Sequence, residues 1–342
     1  FWVLWGQEQL GGRQGGGQTR VYPGSAVVTD SETAHWAWYY TGVGSFARPG
    51  GMDYVLLDCS YRMPPVVERL ILSDEARGVY TVESRPFGRA SADNRYPDYR
   101  FDTNWGHIYR YSYCTPRFIL GTLMCPQLTE RDWCGISSQN RFQGMTFADR
   151  NALILPLPQP LGMHNLQSTK PTIAYNAFWS EMCEGTLLTQ RCRDYKGGMR
   201  VWFSAGGSVA DNVTEKDGWI FTECGGAYAA VRAARGGYSW ADTTSGRITG
   251  RWLVCEDADS PVILEAADVS RFPDRASFEA AVLALSPVWD GGALRYRSLY
   301  GHDFVFVADA DGNSTVDGEY YVRQIPYSFR SPFVNCPWDG SA

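Results

Sequence analysis

The sequence predicts an all-β protein, a large multi-sheet antiparallel β-sandwich with one short helix. Three observations carry this. Aromatic residues reach 14% while charged residues are only 20%. The chain holds 36 Gly and 18 Pro, so turn formers are frequent. Short runs rich in Val, Tyr, Phe and Trp recur between those turn signals, as strands require. At 342 residues and 44% hydrophobic, the chain exceeds the usual size of one compact core. Either two domains or one large multi-sheet domain follows.

The elements follow in chain order. The opening FWVLWGQEQ has no Met and no basic segment before an apolar run, so it reads as a strand and not as a signal peptide; the chain is then processed or a segment of something longer. Residues 6–24 are Gly-rich without GxGxxG spacing or a following helix pattern, which predicts a loop and no dinucleotide site. Strand-like runs then fall at Ala34–Tyr40, Tyr54–Tyr61, Val66–Leu72, Val79–Val82, His107–Tyr113, Phe118–Met124 and Gly144–Phe147. Arg85–Asp102 reads as a long polar excursion. Four prolines (Pro156, Pro158, Pro160, Pro171) argue against a central strand. The expected organisation is therefore an N-terminal β-sandwich half at 1–150, a Pro-rich linker at 151–172 and a C-terminal half at 173–342.

In the second half, strands are expected at Met199–Ser204, Trp219–Glu223, Ala227–Ala233, Arg251–Glu256, Val262–Glu265, Ala293–Ser298, Phe304–Ala308 and Tyr320–Gln324. One helix stands out. Asp274 is its N-cap candidate, Phe278, Val282 and Leu285 share a face, and Ser286-Pro287 ends it.

The candidate functional residues centre on 105–147. His107, Tyr109, Tyr111 and Tyr113 fall at every second position, so one strand would send an imidazole and three phenols to one face. Arg117 and the cluster Gln139, Asn140, Arg141 follow. Phenols, imidazole, guanidinium and amides on one surface suit carbohydrate recognition. They also suit β-elimination from uronate sugars, with a tyrosine as acid or base, His107 assisting, and Arg117, Asn140 and Arg141 neutralising the carboxylate. A tyrosine base needs a lowered pKa, which a nearby arginine could supply. Cross-strand packing of tyrosines is the competing reading. Trp36, Trp38 and Tyr40 alternate on another candidate face, and Trp105 flanks the tyrosines; sugar rings stack on such aromatics, though tryptophans also fill cores. Glu181, Glu184 and Glu223 are the first carboxylates to consider for a glycosidase.

Charge and cysteines narrow the classes. A net charge of −6 argues against nucleic acid as a partner. Basic residues are almost all arginine, with lysine only at 170, 196 and 216; arginine forks suit acidic ligands, and codon bias gives the same excess. Nine cysteines lack CxxC spacing, so a zinc ribbon is not expected; Cys183 and Cys192 could form one local disulfide. No apolar run approaches a membrane span. Asp309, Asp311 and Asn313 only partly fit a calcium loop, since Ser314 and Tyr320 stand where that loop needs Gly and Glu; a hairpin on Asp311-Gly312 competes. No other cofactor is expected.

The segments YCTPRFILGT at Tyr113–Thr122, SSQNRFQGMTF at Ser137–Phe147, GGAYAAVR at Gly225–Arg232, SPVILEA at Ser260–Ala266, SFEAAVLAL at Ser277–Leu285 and YSFRSPFVN at Tyr327–Asn335 carry a resemblance. The chain resembles the β-supersandwich portion of the heparinase II/III-like polysaccharide lyases. This implies a supersandwich fold, a secreted or periplasmic protein and an acidic, uronate-containing polysaccharide as partner, bound or cleaved by β-elimination. The helical toroid that precedes the sheets in that family, and supplies part of its catalytic set, has no counterpart here. The toroid is therefore a candidate missing partner. A non-catalytic carbohydrate-binding module and a self-assembling extracellular structural protein are the alternatives.

Overall fold

The computed structural model describes residues 78–84, 89–90, 97–98, 108–124, 143–147, 152–158, 178–191, 197–243, 249–290, 292–307, 314–320, 329–330 and 335–336. The described strands, in chain order, are β1 (Gly78–Ser84), β2 (Arg89–Ala90), β3 (Pro97–Asp98), β4 (Ile108–Cys114), β5 (Phe118–Met124), β6 (Gly144–Phe147), β7 (Leu153–Pro158) and β8 (Phe178–Cys183). Then come β9 (Thr186–Arg191), β10 (Met199–Ser204), β11 (Thr214–Lys216), β12 (Trp219–Cys224), β13 (Ala227–Ala233), β14 (Tyr238–Thr243), β15 (Gly250–Cys255) and β16 (Val262–Asp268). Helix α1 (Arg275–Leu283) precedes β17 (Val288–Asp290), β18 (Ala293–Arg297), β19 (Asp303–Phe306), β20 (Thr315–Val316), β21 (Glu319–Tyr320), β22 (Phe329–Arg330) and β23 (Asn335–Cys336).

These strands form three main antiparallel sheets. A ten-stranded sheet runs β14-β15-β10-β7-β6-β5-β4-β1-β22-β23, a six-stranded sheet β11-β12-β13-β16-β9-β8 and a five-stranded sheet β17-β18-β19-β20-β21. Strands β2 and β3 pair separately, within the segment read as an excursion.

The six-stranded sheet is the middle layer. Val262, Leu264 and Ala266 pack with Phe118, Met145, Ile154, Val201 and Leu253 of the ten-stranded sheet. From the opposite face, Ile263, Ala267 and Tyr228 pack with Phe278 and Val282 of α1 and Leu294, Tyr296 and Phe304 of the five-stranded sheet. The alternation follows from the two-residue period of a strand. All seven residues of β16 are buried, because both of its faces are covered. The all-β, multi-sheet sandwich is thus present, with the one α-helix among the described residues on the outer face of the middle layer.

Helix α1 matches its sequence signals. Asp274 caps it by accepting from the Ser277 amide at 2.8 Å, and Ser277 Oγ closes a capping box. That amide, with the Ser277 hydroxyl, holds the Asp274 carboxyl below its ordinary range. Phe278 and Val282 are its buried pair, while Leu285 lies past its end.

One expectation is corrected. Pro156 and Pro158 lie in β7, an interior strand between β6 and β10. The missing donor is tolerated because β6 pairs with β7 only at Met145 and Thr146. Past that point the Pro156 ring lies against Gly144, where a Cβ would meet it at 3.1 Å. The Pro156 carbonyl accepts instead from the Gln143 side chain at 3.0 Å. Both sides of the Pro-rich segment contribute to the ten-stranded sheet: β1 and β4 to β6 from before it, β7 from within it, and β10, β14, β15, β22 and β23 from after it. Among the described residues no helix is long and apolar enough to cross a membrane.

Candidate functional site

The tyrosine ladder lies on β4, between β1 and β5. Tyr111 and Tyr113 turn toward the middle sheet. Tyr111 is 4% exposed and belongs to the core. Its hydroxyl accepts from the Glu184 amide at 2.7 Å and lies 4.0 Å from the Cys183 sulfur. Cys192, the other half of the expected local disulfide with Cys183, lies outside the described residues. Tyr113 is half-buried, edge-on to Tyr300 with ring centroids 5.6 Å apart. Burial pushes the Tyr113 phenol up; Tyr300 and Arg271 ease this, while Glu184 and Asp268 add to it. The expectation of a tyrosine base with a lowered pKa is corrected on this residue: Tyr113 holds its proton more firmly than a free phenol does.

Arg117 is exposed and donates to the Gly225 carbonyl at 2.8 Å, so it braces the β12–β13 turn. Tyr109 is placed on β4 between Glu83 and Met124. Trp36, Trp38, Trp105, His107, Gln139, Asn140 and Arg141, and the calcium candidates Asp309, Asp311 and Asn313, lie outside the described residues. Among the described residues no group of three or more His, Cys, Asp or Glu side chains is arranged to hold a metal ion.

At the open end of the ladder a polar rim assembles from distant segments. Glu184 sits in the β8–β9 turn with φ +47°, a left-handed conformation uncommon for a non-glycine residue. Its carboxylate faces His302 Nε2 at 3.3 Å, and Asp317 meets Nδ1 at 2.7 Å. The Asp303 amide and then His302 hold the Asp317 carboxyl below its usual range. Asp317-Gly318 is the two-residue turn between β20 and β21, with φ +53° and +80°, the hairpin geometry Asp-Gly favours. Of the three glutamates singled out in the sequence, Glu184 is on this rim and Glu223 is half-buried on β12. Glu181 is 1% exposed on β8. Its Oε2 has no hydrogen-bond partner. Burial holds its pKa well above the ordinary carboxylate value, and the nearby Trp179 indole offsets this only in part.

A second place has a different chemistry. Gln190, Arg191, Arg235, Asp259, Trp289, Gly292 and Val307 line an open cleft of about 280 Å³. That is near the lower end of the roughly 300–1,000 Å³ span of small-ligand sites. The Arg235 guanidinium stacks on the Trp289 ring at 4.5 Å and bonds to Asp257. Arg191 bonds to Asp259 at 2.7–2.9 Å, and Asp257 in turn accepts from the Asp259 amide at 2.9 Å. Gly292, at φ +97°, has nothing within 4 Å of where a Cβ would stand, so backbone is open on this side.

None of Arg191, Arg235 or Trp289 was singled out by the sequence. They come from β9, the β13–β14 turn and β17, and only the stacking of middle and five-stranded sheets brings them together. The available signal was the arginine and tryptophan content. Other arginines also lie over aromatic rings: Arg200 on Trp252 at 3.8 Å, Arg271 on Tyr300 at 4.1 Å and Arg251 on Trp240 at 4.4 Å. The arginine bias is thus used in part for ring stacking, a role lysine fills less well.

Fold and site together define a layered antiparallel β protein with a guanidinium–indole cleft. No family model, curated protein or solved structure matches the chain.

Proposed function

We propose that this chain binds acidic, uronate-type saccharide in the Trp289 cleft, as a non-catalytic carbohydrate-binding sandwich. The observation that carries the reading is the presence of an indole and two guanidiniums, Arg191 and Arg235, on one cleft of sugar-ring size. Guanidinium forks fit a carboxylate, here in competition with Asp257 and Asp259, and an indole fits the apolar face of a pyranose. The resemblance of several segments to the polysaccharide-lyase supersandwich supports the same ligand class. Elimination draws less support, because Tyr111 and Tyr113 turn inward, Tyr113 gives up its proton less readily than a free phenol, and Arg117 bonds to a turn instead of facing Tyr113.

Calorimetric titration with uronate oligosaccharides and neutral oligosaccharides of equal length tests this. Binding is expected for the acidic series, at least tenfold weaker for the neutral series, and lost in Trp289→Ala and Arg191→Ala. Absence of binding across the acidic series overturns the reading. Near-ultraviolet absorbance of the same mixtures is expected to stay flat; a rise from unsaturated uronate would replace binding with elimination.

A further inference from the structure

The segment 298–302, between β18 and β19, is strapped to the middle sheet at several points. The Leu299 amide donates to Glu265 Oε1 at 3.1 Å, and the Leu299 carbonyl accepts from Arg271 at 3.2 Å. The Tyr300 hydroxyl donates to the Ala266 carbonyl at 2.8 Å, with Arg271 stacked on its ring at 4.1 Å. His302 reaches Glu184 at 3.3 Å. Inside the segment, the Ser298 amide donates to the His302 carbonyl at 2.9 Å and the Gly301 amide to the Ser298 carbonyl at 2.9 Å. The loop is therefore a self-braced turn whose attachment is side-chain chemistry rather than a sheet ladder.

Glu265 is the anchor beneath it. It is completely buried on β16. It accepts from Tyr296 at 2.6 Å on Oε1, beside the Leu299 amide, and from Thr186 at 2.7 Å on Oε2. Three donors from β18, the loop and β9 thus converge on one carboxyl. We propose that the 298–302 loop is a proton-controlled latch, closed on the middle sheet while Glu265 carries its proton and released as that carboxyl ionises.

Closing the loop seals Glu265 from water, and opening it lets water in. Two of the three partners are hydroxyls that can rotate to accept, so the protonated carboxyl is satisfied when closed. Ionisation leaves a charge in a layer walled by Ile263, Ala267 and Phe304. The charged and titratable groups around it are Tyr296 from β18, Arg271 after β16, Tyr300 in the loop, and Arg232 of β13 acting through Tyr296. Burial outweighs the three donors and Arg271, and raises the carboxyl to about 7. An opened, hydrated Glu265 returns toward the ordinary value of 4.5. The closed state therefore holds more protons between those values. Closure is fully favoured below the lower one, weakens as pH rises toward 7, and stays constant above it.

Hydrogen exchange of the full chain, read as protection factors for a peptide spanning 296–304 against one spanning 199–204, tests this from pH 4.5 to 8.5. Loop protection is expected to fall on the order of a hundredfold up to about pH 7 and then level off, as a shift of this size implies. The 199–204 peptide is expected not to follow. Glu265→Gln is expected to abolish the pH dependence of the loop. Tyr296→Phe, which removes one donor from the carboxylate, is expected to move the plateau to higher pH. Constant loop protection in the wild-type chain, an unchanged transition in Glu265→Gln, or a plateau that does not move in Tyr296→Phe each overturns the latch.

Discussion

The two faces of the six-stranded sheet bury polar groups on different terms. Toward the ten-stranded sheet a network of neutral polar groups is mutually satisfied. Thr122 donates to Gln143 at 2.9 Å and meets Ser180 at 2.8 Å; Gln143 donates to Pro156 and to Thr189, at 3.0 and 2.6 Å; Thr189 closes on the Trp179 carbonyl at 3.1 Å. Toward α1 and the five-stranded sheet the buried polar groups include two carboxyls, Glu265 with three donors and Glu181 with an oxygen that has none. A neutral network keeps its strength over a wide pH range. A buried carboxyl makes its interface depend on protons, and its cost depends on how many donors meet it. The first interface therefore holds the sandwich together at any moderate pH, and the second is the one that solution conditions can loosen.

The largest test strikes the neutral face. Gln143→Ala removes the partner of Thr122, Thr189 and the Pro156 carbonyl at once, and is expected to cost roughly 3–5 kcal/mol in urea unfolding. A loss below about 1 kcal/mol would mean the network does not bind the layers. Next, Glu265→Leu leaves the Tyr296 and Thr186 hydroxyls and the Leu299 amide without an acceptor. Its expected cost is about 2–3 kcal/mol at pH 5, where the carboxyl is protonated, and less at pH 8.

Glu181→Met is expected to act in the opposite direction. It replaces a carboxyl whose Oε2 lacks a partner with an apolar chain of similar size, so stability at pH 7 should rise by about 1–2 kcal/mol. Because the Glu181 pKa is raised in the folded state, wild-type stability is lost as pH rises through it, and the variant's stability-against-pH curve should be flatter. A destabilised Glu181→Met would show that Glu181 has a partner role, and would erase the contrast with Glu265. The smallest effect is expected for Arg117→Ala, on the exposed β12–β13 turn, at under about 0.5 kcal/mol; thermal unfolding of the variant checks it.

Much of the sheet content was legible because period-two runs and turn residues are local signals. Phe118–Met124, Gly144–Phe147, Met199–Ser204 and Ala227–Ala233 were read at their observed bounds. Strands β8 and β9 were missed. Phe178–Cys183 carries Ser180 and Glu181 where a core strand would be apolar, and both are buried for reasons that lie in other strands. Strand β7 was rejected for its prolines, since the cut-short β6 and the Gln143 side chain that make them tolerable are not local facts. Tyr111 and Tyr113 share a face as their spacing implied, but the direction of that face was not available. The cleft was invisible because Arg191, Arg235 and Trp289 are separated by dozens of residues and share no motif.

The sequence by itself determined which residues share a strand face, where α1 begins, and that β-structure dominates, because backbone periodicity and capping act over a few residues. Only the tertiary structure decided which way each face turns. In a three-layer stack both faces of the middle sheet are buried, so hydrophobic alternation no longer distinguishes inside from outside. The setting of a buried group then rests on register with strands far away in the chain. That register leaves Glu265 with three donors and Glu181 with a bare oxygen, and it sends Tyr111 into the core.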